Sequence, residues 1–264
     1  MSGLKKYSFT GEAYQPQEEL YFNDGREIEL LHFIYDHASL EEMRGKPQRV
    51  LDAIDEFGKT RKYLMNIGEY KAKAITKLIK DENPRVIVEL GGYVGYSAIA
   101  FGAALKGVGG QRYYSLEMNP EFAAVMSVLV DLAGLSNVVK VIVGPSSNSL
   151  ERLVKEDTLK HIDLLFLDHY KPAYTTDLKL CEELGLVSVG SIYAADNVVK
   201  PGNPLYLEYV RSTVHEKRRK ASDYDQTGPK GNPNLIYDSH FIEGWEPSGV
   251  PDAIEITRCV GVQT

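Results

Sequence analysis

Apolar positions along this 264-residue chain follow two periods, and the way the periods alternate predicts the architecture. Short runs of the kind that fill buried strands stand at 85–90, where Val86, Ile87 and Val88 are β-branched, and at 112–116, 139–143, 162–167 and 191–195. Between them the spacing changes to threes and fours, predicting helices from Tyr96 onward and over 121–132, 149–155 and 176–184. Strands and helices in that rhythm make a mostly parallel sheet covered on both faces. Upstream, apolar stripes predict helices at 26–37, 47–57 and 70–80, and the link 63–68 reads as a packed connector or a lid. Downstream, 204–215 predicts one more helix, and 240–245 with 253–260 alternate like a closing antiparallel pair. Residues 1–24 have no period and read as a flexible extension; residues 25–264 form one domain. A stretch rich in Gly, Pro, Asn and Asp makes an inserted excursion at about 221–245.

Composition narrows the partners. With 43% hydrophobic and 25% charged residues the chain has a globular balance, and a net charge of −7 argues against nucleic acid as its main partner. The basic run Lys217-Arg218-Arg219-Lys220 reads as the solvated end of a helix. The start of the chain has no apolar signal region, and the charge-free run 90–105 is too short and glycine-broken to span a bilayer. Cys181 and Cys259 lack any metal or redox spacing and read as reduced thiols. The expectation is a cytoplasmic protein without a membrane partner, a monomer or weak homo-oligomer.

The stretch VIVELGGYVGYSAIA, 86–100, is a strand, a tight turn and a helix start. Its glycines let backbone approach a ligand, and the helix offers free N–H groups. The dinucleotide fingerprint is broken because Tyr93 stands where its second glycine belongs, which argues against a nicotinamide oxidoreductase. The pattern is Glu89-x-Gly91-x-x-x-Gly95, and a carboxylate in the turn suits a cation such as S-adenosylmethionine better than a pyrophosphate. A generic strand–helix turn has the same outline. Glu117, ending the second strand, is placed to accept ribose hydroxyls.

Two later strands run into Asp168 and into Asp196-Asn197. Two carboxylates and an amide at neighbouring strand ends form a hard oxygen set suited to Mg²⁺; strand-end aspartates also serve simply as helix caps. Zinc would want Cys or His, and only His169 is near. Lys171, three residues past Asp168, is a candidate general base beside such an ion, or an ordinary surface lysine.

Five stretches taken in order resemble the catechol O-methyltransferase family: Met65-Asn66-Ile67-Gly68, 89–98, Glu117-Met118-Asn119-Pro120, 166–171 and 195–202. The resemblance implies a Rossmann-like class I methyltransferase fold, a mostly parallel seven-stranded sheet with an antiparallel C-terminal strand and helices on both faces. It implies S-adenosylmethionine and Mg²⁺ as cofactors and a catechol-type diol as acceptor; caffeoyl thioesters or flavonoids are the alternative. Asp168, Asp196 and Asn197 fall on the metal ligands and Lys171 on the catalytic base. Glu255 matches the carboxylate that holds the second catechol hydroxyl. Met65, Ile67, Glu89, Gly91, Tyr93, Ser97, Glu117, Met118, Ser146 and His169 match the cofactor lining. Tyr63, Tyr170 and Pro201 match the walls around the acceptor ring, with Lys171, Asn197 and Glu255 also touching it. Tyr63 and Tyr170 replace tryptophans of mammalian members, and Ser147 replaces a glutamine, so the slot suits a bulkier or more polar ring.

Overall fold

The apolar runs pair edge to edge because, buried on both faces, they have no other way to satisfy their backbone groups. The computed structural model describes residues 22, 24–222 and 228–264. Strands β1 (Val86–Leu90), β2 (Arg112–Glu117), β3 (Val139–Val143), β4 (Leu164–Leu167) and β5 (Ile192–Ala195) are parallel; β6 (Leu235–Trp245) and β7 (Pro251–Val262) close the sheet. The order is β3-β2-β1-β4-β5-β7-β6, with β7 antiparallel to both β5 and β6. The predicted seven-stranded, mostly parallel sheet is present.

The pleat sends alternate residues to two separate cores. Ile87, Phe166, Ala194 and Ile254 face helices α1 (Arg26–Tyr35), α3 (Pro47–Thr60), α4 (Gly68–Glu82), α5 (Tyr96–Gly107) and α6 (Pro120–Leu132). Val88, Leu165, Tyr193 and Ala253 face α7 (Ser146–Lys155), α8 (Tyr174–Glu183) and α9 (Pro204–Arg211). A short α2 (Leu40–Met43), which the apolar pattern does not predict, leads into α3. Among the described residues no helix is long and apolar enough to cross a membrane.

Three expectations are corrected. The helix expected over 204–215 is two helices, α9 and α10 (Val214–Ser222), because Ser212 is extended and Thr213 opens a capping box. Thr213 N donates to Glu216 Oε2 at 2.7 Å, and Glu216 N donates back to Thr213 Oγ1 at 3.2 Å. The basic run on α10 is only partly solvated: Lys217 is buried, donates to Leu235 O at 2.5 Å and lies 4.0 Å from the centroid of the Tyr237 ring. The excursion is shorter than expected, since β6 already begins at Leu235; its residues 223–227 lie outside the described residues, as do 1–21 and 23 of the N-terminal extension. Both cysteines are free and buried.

Thr213→Ala removes one half of the capping box and is expected to cost about 1 kcal/mol, read as a lower urea midpoint with an unchanged slope.

Candidate active site

The carboxyl ends of β1, β4 and β5 lie side by side, and the ladder continues one residue past β4 and β5 to anchor the loops that leave them. Asp168 N donates to Leu90 O and Asp196 N to Leu167 O, each at 2.9 Å. Gly91 has φ 91°, and a Cβ there would lie 2.5 Å from Asp168 O, so only glycine lets the turn after β1 touch the loop after β4.

The residues expected to line the cofactor lie just before α4, at and after the end of β1, in α5, at the end of β2, at the start of α7 and after β4. Glu89, expected to face a cationic ligand, is fully enclosed and accepts from Ser115 Oγ on β2, its register partner. Burial lifts its carboxyl to about 7, against the hydrogen bond from Ser115. Ser97 is buried in the first turn of α5. Glu117 Oε2 accepts from Tyr93 N and Oε1 from Asn119 N, both at 2.8 Å, and burial raises its carboxyl in spite of them. Tyr93 serves here through its backbone: its hydroxyl turns away to donate to Glu27 Oε1 on α1 at 2.6 Å. Met118 is exposed beside Glu117, and Ile67 is buried next to the half-buried Met65. Ser146 Oγ donates to Asp177 Oδ2, which also lies 2.9 Å from His169 Nε2. The His169 ring stacks on Tyr174 with centroids 4.8 Å apart, and its Nδ1 is buried with no partner.

The acid side forms one network. Lys171 Nζ donates to Asp168 Oδ1 at 3.0 Å and to Tyr174 OH at 2.9 Å, and Tyr174 OH donates to Asp196 O at 3.3 Å. Asn203 Nδ2 holds the Lys171 carbonyl at 2.7 Å. Asn197, in the left-handed conformation that asparagine tolerates, donates its Nδ2 to Glu246 Oε1 at 2.7 Å and Asp252 Oδ2 at 3.0 Å. Asp252 Oδ1 accepts from Lys200 N at 2.8 Å and Val199 N at 3.2 Å, fixing the turn that carries Pro201. Lys71 reaches in from α4 to Asp196, Asp252 and Glu246. Tyr63 and Tyr170 are exposed at the rim, and Arg26 Nη1 holds the Tyr63 carbonyl at 2.5 Å.

Glu255 does not join them. It sits on the α9 face of β7, where Arg211 Nε and Nη2 clasp its two oxygens at 2.7 and 2.8 Å. Pleat parity decides this: Ala253 and Glu255 share that face, whereas Asp252 belongs to the α4 face. The acids that do reach Asn197 are Glu246, just past the end of β6, and Asp252 at the start of β7. Lys71, Tyr174, Glu246 and Asp252 were not singled out from the sequence as site residues.

The donor set fits a hard divalent cation. Asn197 spends its amide nitrogen on the acids, which turns its carbonyl oxygen away from them, and Asp168 and Asp196 add carboxylates. Burial pushes the Asp196 carboxyl up; Lys71 opposes this while the charges of Asp168 and Asp252 add to it, so positive charge is in demand there. Among the described residues no three His, Cys, Asp or Glu side chains form a ready metal centre, so water and substrate oxygens would complete the shell.

The O-methyltransferase family model matches residues 41–217, and the chain belongs to that family of enzymes. It is 36% identical to a catechol O-methyltransferase of Bos taurus over 210 residues, covering 80% of this chain and 75% of the relative. It is 38% identical to catechol O-methyltransferase B of Danio rerio, covering 70% and 67%. An SAH-bound methyltransferase from Podospora anserina shares the fold at TM-score 0.58 and 21% identity, covering 93% of this chain and all of that one.

Arg211→Met strands the Glu255 carboxylate inside the protein and is expected to cost about 3 kcal/mol in chemical denaturation, with turnover per folded molecule retained. Glu89 binds its proton more tightly folded, near 7, than at the ordinary 4.5. Its stabilising contribution is therefore complete below 4.5 and lost as pH rises through 7. The stability of Glu89→Gln relative to wild type should improve across that window, read as urea midpoints at successive pH values.

Proposed function

We propose that the protein transfers the methyl group of S-adenosylmethionine to one hydroxyl of an aromatic vicinal diol, with Mg²⁺ held by Asp168, Asp196 and Asn197. The observation that carries this reading is the single network joining Lys171, Asp168, Tyr174 and Asp196, with Asn197 and Glu246 beside it. The bovine and Danio rerio relatives, both catechol O-methyltransferases, support the acceptor class, and the SAH-bound Podospora structure supports the donor. The free, buried cysteines support a reducing, cytoplasmic location.

When bound, the donor supplies an electrophilic methyl on a sulfonium, and the divalent ion acidifies the acceptor hydroxyl as a Lewis acid. Lys171 Nζ takes the hydroxyl proton, held in position by Asp168 and Tyr174. Glu246 accepts a hydrogen bond from the second hydroxyl, its carboxylate set by Asn197 and Lys71. Tyr63, Tyr170 and Pro201 flank the acceptor ring. Glu117, preset by two backbone amides, takes the ribose hydroxyls, while Ser146 and His169 border the adenine. Alignment of oxygen and methyl carries much of the acceleration, since effective molarities reach about 10⁵ M or more.

Incubation with S-adenosylmethionine, Mg²⁺ and a panel of catechols, flavonoids and caffeoyl thioesters, followed by mass spectrometry, should give singly methylated catechols. Products only from thioesters would move the assignment to that acceptor class. Asp196→Ala should abolish turnover while calorimetry still registers SAH binding.

A further inference from the structure

Lys71 takes part in methyl transfer only as a neighbour of Glu246, yet its burial is extreme for an amine. It is 1% exposed, and its Nζ lies 2.7 Å from Asp196 Oδ1 and 2.8 Å from Asp252 Oδ2, with Glu246 Oε1 also in contact. The fold makes room for it: a Cβ on Gly244 of β6 would lie 2.7 Å from Lys71 Cγ. One buried amine enclosed by three acids is an ion pair, and it fixes the Lys71 charge on the carboxylate of Asp196, one of the three side chains assigned to the metal.

Coulomb's law gives this arrangement two consequences. A positive charge bound to a ligand repels a second cation arriving at that ligand. The same charge lets Asp196, Glu246 and Asp252 be buried together before any metal is present, a burial that unpaired acids would resist strongly.

We propose that Lys71 is a built-in counter-ion that weakens, and so sets, the divalent-cation affinity of this site while positioning Asp196 and Glu246. This rests on the metal-site reading given under Proposed function. A lysine that merely tied α4 to the β6–β7 hairpin would lower stability when removed but leave metal affinity alone.

The test is MgCl₂ titration of the full chain by isothermal calorimetry and by thermal unfolding, for wild type, Lys71→Met and Lys71→Gln. Both variants lose the charge, and Gln keeps hydrogen-bond donors. Each should bind Mg²⁺ at least about tenfold more tightly than wild type and gain more Tm from it. Should either variant be unfolded without metal, it should regain native circular dichroism at Mg²⁺ levels that leave wild type unchanged. Unchanged or weaker affinity, Lys71→Gln behaving as wild type, or an unfolded variant that no Mg²⁺ level recovers would each overturn the proposal. A wild type giving neither heat nor Tm change with Mg²⁺ would remove the metal site itself and the Lys71 role with it. That pattern differs from a binding wild type whose variants match it.

Discussion

Carboxylates from separate elements can share a buried space only if cations go with them. Here Asp168, Asp196, Asp252 and Glu246 meet where β4, β5 and the β6–β7 hairpin end, and two lysines accompany them. Lys171 comes from the loop after β4 and Lys71 from α4, so the charge balance joins elements far apart in the chain. The positions of Asn197 and of the turn behind it depend on that balance, because Asp252 accepts from both.

The sheet was legible because each buried strand is a compact apolar run whose meaning does not depend on distant partners. Strand tips were legible for the same reason: Asp168, Asp196 and Asn197 come directly after such runs, and the topology brings them side by side. Side-chain direction at the far end of the sheet was not. Glu255 lies inside an apolar strand, where one step of pleat parity hands it to Arg211 and α9. Glu246 was hidden by the opposite problem, standing just beyond a strand that read as part of an excursion. Lys71 looks like any charged residue of an amphipathic helix, and its partners lie 175 and 181 residues away. The break between α9 and α10 was readable, since Thr213 and Glu216 have the capping spacing, but the apolar stripe ran through it and masked the stop.

Two residues with conspicuous side-chain chemistry spend it inside the fold. Tyr93 contributes an amide to Glu117 and sends its ring toward α1. Glu89 braces β1 against Ser115 on β2 and stays enclosed. In both cases the side chain with the conspicuous chemistry is absorbed by packing.

Tyr174 has a wider bearing than its place at the start of α8 suggests. Its face lies under the imidazole of His169 and its oxygen touches both the Lys171 amine and the main chain at Asp196. One rigid phenol is therefore the shared support of the His169 ring on one side and of the Lys171–Asp168 ion pair on the other. Any tilt of that ring is felt on both sides at once, so the imidazole and the amine share a single mechanical tolerance.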